Sequence, residues 1–249
     1  MYPNLFGIRN FSYTLCLIVG IISAILVACF YFKKQKMNKA AVIDLLICGC
    51  FAIALGMIFA ILFENLYEMI ALGKNYHWSF KMTFYGGLFG GIIGFLLTYL
   101  ILKKKGTVNF ELLDVLTIAP SSILIGHMFG RIGCFLAGCC HGIHTDSWIG
   151  ITFPGIGKVI PTQLIEALVL LILFIITVIL AFKKDFKYNC LIYLLGYGVA
   201  RFIIEFYRGD ARGVAFALSP SQVWSLILII SAFPVYLFVR RMNEKNEKR

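Results

Sequence analysis

Seven apolar stretches, each roughly 18 to 23 residues long, alternate with short polar segments, at about 11–32, 41–63, 85–102, 111–129, 161–182, 188–207 and 220–239. A helix rising 1.5 Å per residue needs about 20 such residues to cross a hydrocarbon core roughly 30 Å thick. The pattern therefore predicts an all-α, polytopic integral membrane protein with about seven transmembrane helices. Two polar segments are longer than the rest, about 64–84 and 130–160. With no internal repeat and no Pro-, Gly- or Ser-rich linker, residues 1–249 read as a single transmembrane domain. The first stretch lacks both a basic lead and a small-residue cleavage site, so it reads as a retained helix and not as a secretory signal.

The charged residues set the orientation. Lys33, Lys34, Lys36 and Lys39 follow the first stretch, Lys103, Lys104 and Lys105 the third, and Lys183, Lys184 and Lys187 the fifth. Arg240, Arg241, Lys245, Lys248 and Arg249 follow the last. These are alternate segments, and basic residues favour the cytoplasmic side. The N-terminus is expected outside and the C-terminus in the cytoplasm. The opposite segments hold few basic residues, chiefly Lys74, Lys81, Lys158, Arg208 and Arg212. A net charge of +11 would suggest nucleic acid as the partner of a soluble protein, but the chain is 60% hydrophobic and only 14% charged, so its partner is the membrane. Trp78, Trp148, Tyr67 and Tyr76 lie in the two longer outer segments. There they either anchor the chain at headgroup level or build a partly embedded platform around a site.

Ionised side chains within apolar stretches change the picture further, because each costs about 2.5–3.5 kcal/mol at a bilayer centre unless a partner or polar cavity offsets it. Tyr197, Arg201 and Glu205 recur every four residues and form one polar stripe. It reads either as an internally neutral ion pair or as an anion-binding face. Arg131 lies among Gly126, Gly130, Gly133, Gly138 and Gly142. Exposed backbone N–H groups and a forked guanidinium suit a phosphate headgroup at the outer end of a helix. The series Gly86, Gly87, Gly90, Gly91 and Gly94 reads as helix packing.

Four of the eight cysteines, Cys16, Cys29, Cys48 and Cys50, fall inside apolar stretches and behave as small hydrophobic residues. The cluster Cys134, Cys139, Cys140 and His141 has three readings: packing around a glycine-rich turn, a disulfide from Cys134 to Cys139 or Cys140, or a metal site or thiol relay. Its spacing fits no zinc pattern well.

The run Gly130-Arg131-Ile132-Gly133-Cys134-Phe135, with Gly138 and Gly142, resembles the signature of the prolipoprotein diacylglyceryl transferases, bacterial inner-membrane enzymes. Phe84-Tyr85-Gly86-Gly87-Leu88 is similar to that family's His-Gly-Gly segment. Pro161-Thr162-Gln163-Leu164-Ile165-Glu166 is similar to its Pro-Ser-Gln-Leu-Tyr-Glu, and Tyr197 through Arg208 to its Tyr-Gly, Arg, Glu-Phe, Arg stretch. The resemblance implies transfer of the diacylglyceryl group of phosphatidylglycerol to the thiol of a lipobox cysteine in a lipoprotein precursor, releasing glycerol 1-phosphate. No metal, nucleotide or other cofactor is expected. It implies a catalytic set of Arg131, Arg201, Tyr197 and Tyr85. Binding positions would be Gly86, Gly87, Gly130, Gly133, Cys134, Gly138, Gly142, Gln163, Glu166, Glu205 and Arg208. The arginines would stabilise charge growing on phosphate, Tyr197 would orient the headgroup and Glu205 would hold Arg201.

Three positions depart from the family pattern: Cys134 stands for Asn, Cys139 for an acidic residue and Tyr85 for His. A tyrosine with a pKa near 10 is a hydrogen-bond donor at neutral pH, not a base for a thiol. His127, His141 or arginine proximity would then have to ionise the thiol. The alternatives to the transferase are a diverged paralogue with another acceptor, or a non-catalytic membrane protein that binds anionic lipid or uses its cysteines in redox chemistry.

Overall fold

The computed structural model describes residues 11–184, 186–209 and 218–247. Arg212, Lys248 and Arg249 lie outside the described residues, as does the side chain of Lys184. Seven α-helices occur among the described residues: α1 (Phe11–Lys34), α2 (Lys39–Leu72), α3 (Phe84–Lys104), α4 (Leu112–Ala137), α5 (Thr162–Lys184), α6 (Asn189–Glu205) and α7 (Pro220–Glu247). All but α6 are long and apolar enough to cross a membrane. The protein is an all-α polytopic membrane protein. Many large apolar side chains stay exposed, among them Ile70, Phe233 and Ile230, as helices facing lipid require.

Three helices run further than hydropathy indicates, and α7 does so through its charged end to Glu247. α2 continues to Leu72 through Glu64, Asn65 and Glu68, and α4 continues to Ala137 through the glycine-rich run. Arg131, Gly133 and Cys134 are therefore helical and do not lie in a segment beyond the helix end. A small hairpin joins the helices: β1 (Ile151–Phe153) pairs antiparallel with β2 (Gly157–Val159). Its turn has Pro154 before Gly155, and Gly155 takes φ +76°, which a glycine adopts without steric cost.

The chain divides into two compact units, Gln35–Glu111 and the remainder. In the smaller unit α3 packs on α2 through one glycine stripe. A Cβ at Gly86, Gly90 or Gly94 would come within 2.5–2.7 Å of α2 atoms, including the carbonyl oxygens of Phe59, Leu55 and Phe51, so these backbones touch directly. Gly87 and Gly91 have looser surroundings, with nearest atoms at 3.7 and 3.6 Å. Asn65 ties down the chain after α2. Its Nδ2 donates to the Ile61 and Ser79 carbonyls, and its Oδ1 accepts from Tyr76 Oη and the Ser79 amide.

In the larger unit α1 and α4 cross where glycines face each other: a Cβ at Gly20 would lie 3.0 Å from the Gly126 carbonyl oxygen. Pro120 sits inside α4, and two nearby polar side chains donate hydrogen bonds across helices. Asn189 of α6 donates to the carbonyls of Thr117 in α4 and Thr177 in α5, and Ser121 Oγ donates to Thr177 Oγ1.

Candidate functional site

Glu166 is the centre of the larger unit's polar interior. It is one turn into α5, completely buried, and two neighbouring helices aim side chains at it. From α4, Arg131 Nε lies 3.1 Å from its Oε1, and His127 Nε2 lies at 3.9 Å. From α6, Tyr197 Oη donates to Oε1 at 2.9 Å and Arg201 Nη1 lies 3.9 Å from Oε2. His127 and Arg131 share one face of α4 by their i, i+4 spacing, as Tyr197 and Arg201 do on α6. The imidazole of His127 meets the Tyr197 ring edge-on at 5.1 Å, and Tyr193 stacks on Tyr197 at 5.8 Å.

A second carboxylate holds the far side of Arg201. Arg201 Nη2 pairs with Glu205 Oε2 at 2.6 Å and donates to Ser221 Oγ at 3.0 Å. The start of α7 places that serine. Ser219 Oγ accepts from the Gln222 amide at 3.2 Å while the Ser219 amide donates to Gln222 Oε1 at 2.9 Å, a reciprocal capping box with Pro220 at the first helical position. Ser219 Oγ also donates to Glu205 Oε1 at 2.8 Å. Arg131 and Arg201 thus balance Glu166 and Glu205, and Arg208, buried at the end of the same polar stripe, adds a further positive charge. Two guanidiniums held rigidly in a dry interior are suited to an anion that brings phosphate oxygens.

The end of α4 builds the adjoining wall. The Gly138 amide donates to the Phe135 carbonyl and the Cys139 amide to the Cys134 carbonyl, the pair of bonds that closes a Schellman motif, with Gly138 in the left-handed region at φ +75°. That motif brings the third residue from the helix end against the second residue beyond it, here Cys134 against Cys139. Cys140 follows with φ +65° and turns its thiol back. None of the eight cysteines is joined in a disulfide, and the sulfurs of Cys134, Cys139 and Cys140 lie within 4.8 Å of one another. Hydrogen bonds from the Cys134 and Cys139 thiols, and the nearby Arg208 guanidinium, hold the Cys140 thiol below the ordinary thiol range. The first turn of α5 clamps this turn: Gln163 Nε2 donates to the Cys139 carbonyl at 2.5 Å and Thr162 Oγ1 to the Cys140 carbonyl at 3.0 Å.

The remaining expected positions fall as follows. Gly133 faces α1, where a Cβ would lie 3.0 Å from Tyr13 and 3.1 Å from Cys16, whereas at Gly130 the nearest atom would be 4.0 Å away. At Gly142 a Cβ would lie 2.6 and 2.7 Å from the Tyr207 and Ile160 carbonyl oxygens, because three backbone segments cross there. Gly142 also bridges to Arg208 in strand fashion. Tyr85, Gly86 and Gly87 begin α3 in the smaller unit, while the cluster around Glu166 is built wholly within the larger one. His127 belongs to the cluster, and its place four residues before Arg131 was the available signal. His141 instead packs beside Phe153, its Nδ1 3.1 Å from the Gly142 carbonyl oxygen. Ser219 and Ser221 carried no signal beyond their place at the start of an apolar stretch.

Fold and site together define a polytopic helical membrane protein with an arginine–carboxylate cluster enclosed between its helices. Residues 3–238 match the model of the family described as prolipoprotein diacylglyceryl transferase, and the chain belongs to that family. It is 33% identical over 244 residues to the phosphatidylglycerol--prolipoprotein diacylglyceryl transferase of Clostridium tetani, covering 94% of each chain. A protein of the same name from Finegoldia magna is 29% identical over 251 residues, covering 99% of this chain and 98% of its own. One from Campylobacter jejuni strain 81-176 is 30% identical over 255 residues, covering 95% and 92%.

Proposed function

We propose that this protein is a phosphatidylglycerol–prolipoprotein diacylglyceryl transferase of a bacterial plasma membrane, with its N-terminus outside and its C-terminus cytoplasmic. The substrates are phosphatidylglycerol and the lipobox cysteine of a lipoprotein precursor. The observation that carries this reading is the convergence of Arg131 and Arg201 on the buried carboxylate of Glu166. The lipobox sulfur attacks the glycerol carbon that bears the phosphate ester, the carbon–oxygen bond breaks, and glycerol 1-phosphate leaves with the electron pair. Charge grows on phosphate in the transition state, and preorganised guanidinium donors in a dry site stabilise it without reorganising.

In this scheme Arg131 and Arg201 bind the phosphate, Glu166 fixes the position of both, and Glu205 with Ser221 fixes the outer fork of Arg201. Tyr197 acts through Glu166: its hydroxyl already donates there, which makes it a positioning residue for the arginines and supports headgroup orientation indirectly. Gln163 keeps the α4 turn in place, Arg208 adds positive charge beside the thiols, Gly130 and Gly138 shape the wall on which the headgroup lies, and Gly133 and Gly142 support that wall from behind through close backbone packing. Tyr85, with Gly86 and Gly87 beside it, serves as a hydrogen-bond donor where the family pattern has a base.

The test is to incubate purified protein in phosphatidylglycerol micelles with a lipobox peptide, following peptide mass and glycerol phosphate release. A diacylglyceryl-sized mass gain on the cysteine peptide, absent with its serine counterpart, is expected. Lipid binding with no transfer would move the function to another acceptor or to lipid binding alone.

A further inference from the structure

The three thiols at the end of α4 lie where the family pattern has an Asn, an acidic residue and a neighbouring position. Their spacing is unlike that of zinc-binding loops, but zinc patterns describe how extended loops bring ligands together. Here the helix-ending motif does so. Cys134 and Cys139 are brought side by side by the Schellman geometry, and Cys140 is turned toward them by a left-handed backbone that a non-glycine residue adopts only when its surroundings enforce it. Bonds from Gln163 and Thr162 to the carbonyls of Cys139 and Cys140 fix the turn from outside, the kind of support that orients metal ligands. A zinc–sulfur bond is about 2.3 Å, so three sulfurs on one zinc stand roughly 3.8–4.0 Å apart. The observed separations, all within 4.8 Å, need only small side-chain rotations to meet this. Cys134 and Cys140 are half-buried and Cys139 is exposed, so a bound ion would keep one open side.

We propose that Cys134, Cys139 and Cys140 form a three-sulfur site for zinc or an ion of similar softness, and that its open fourth position takes the acceptor cysteine's thiol. The second half rests on the transferase reading. A metal-bound thiol gives up its proton, here to solvent. The sulfur then forms its bond to the glycerol carbon as the carbon–oxygen bond breaks, and the metal changes neither charge nor ligand sulfurs. The site answers the problem set by Tyr85: a sulfur nucleophile can be ionised by coordination where no histidine base stands at that position.

The experiment uses the reduced full-length protein in detergent. Loaded with Zn2+ and passed over a desalting column, it is expected to retain about one ion per chain, and Cd2+ in its place is expected to give the charge-transfer absorption of three thiolates. The variants C134S, C139S and C140S are each expected to weaken zinc by more than the roughly 10–100-fold that losing an outer partner costs, while C29S and C50S retain it. Equal melting temperatures of the metal-free variants and the metal-free parent exclude misfolding as the cause. Without lipid, a lipobox cysteine peptide is expected to raise the Cd2+ absorption by one further thiolate, and its serine counterpart to leave it unchanged. Zinc that is not retained, or whose retention ignores the three substitutions, overturns the site. An unchanged Cd2+ absorption on adding the cysteine peptide overturns the fourth-ligand step. Transfer at full rate by metal-free protein sinks the inference and leaves the transferase standing, whereas zinc and peptide binding with no transfer by any form sinks the transferase and leaves the site.

Discussion

Glu166 faces two guanidiniums from a position with no water access, and that makes it the residue on which the cluster depends. Removing one partner from a buried ion pair leaves uncompensated charge and typically costs about 3–5 kcal/mol. Glu166→Ala is therefore expected to lower the melting temperature in detergent by many degrees, while Glu244→Ala, which breaks only the exposed pair with Arg240, leaves it nearly unchanged. Equal melting of the two variants would contradict a central role for Glu166. Arg201→Lys is expected to fold but to transfer poorly, because a lysine cannot bridge Glu205, Ser221 and a phosphate at once as the planar fork does. At Tyr85 the expectation concerns the hydroxyl alone: Tyr85→Phe should lower kcat for transfer, and a variant with full activity would remove Tyr85 from the mechanism.

The helical elements explain which glycines are steric and which are open. Gly142 has two backbone carbonyl oxygens where a Cβ would stand, so Gly142→Ala is expected to yield little folded protein, whereas Gly130→Ala, with nothing nearer than 4.0 Å, is expected to fold like the parent. Yields after gel filtration would check this, and the reverse order would refute it. Apolar stretches made the six long apolar helices legible, because a bilayer requires every spanning backbone to be internally bonded, and the stretch at about 188–207 proved to be the shorter helix α6. The helix ends were less legible. α2 runs past its polar residues because Asn65 satisfies the adjoining segment internally, and α4 runs on through Gly133 because that glycine lets its backbone pack closely against Tyr13 and Cys16 of α1. The polar cluster was legible wherever one helix carried it, as with Tyr197, Arg201 and Glu205. Partners supplied by another helix, such as Ser221 to Arg201 or His127 to Tyr197, depend on tertiary contact. The thiol triad was visible as three cysteines, but its convergence follows from backbone geometry at Gly138 and Cys140 that spacing does not express.

For the whole molecule, the distribution of lysines and arginines supports an outward N-terminus and a cytoplasmic C-terminus. A C-terminal fusion to a fluorescent protein is then expected to fluoresce and a fusion to a periplasm-dependent phosphatase to stay inactive; the opposite pair of results would invert the topology and place the thiols inside. Substrates that arrive from the outer face would meet the polar interior enclosed by α4, α5, α6 and the start of α7. The central claim is that the arginines held on Glu166 carry the phosphate through the reaction. Its most direct test is the rate of diacylglyceryl transfer to a lipobox peptide by Arg131→Ala and Arg201→Ala, each shown to remain folded, against the parent. Losing a preorganised donor to growing charge costs about 10²–10³-fold in rate, and a loss of that size or larger is expected from both variants. Transfer within a few-fold of the parent by either one would contradict the claim.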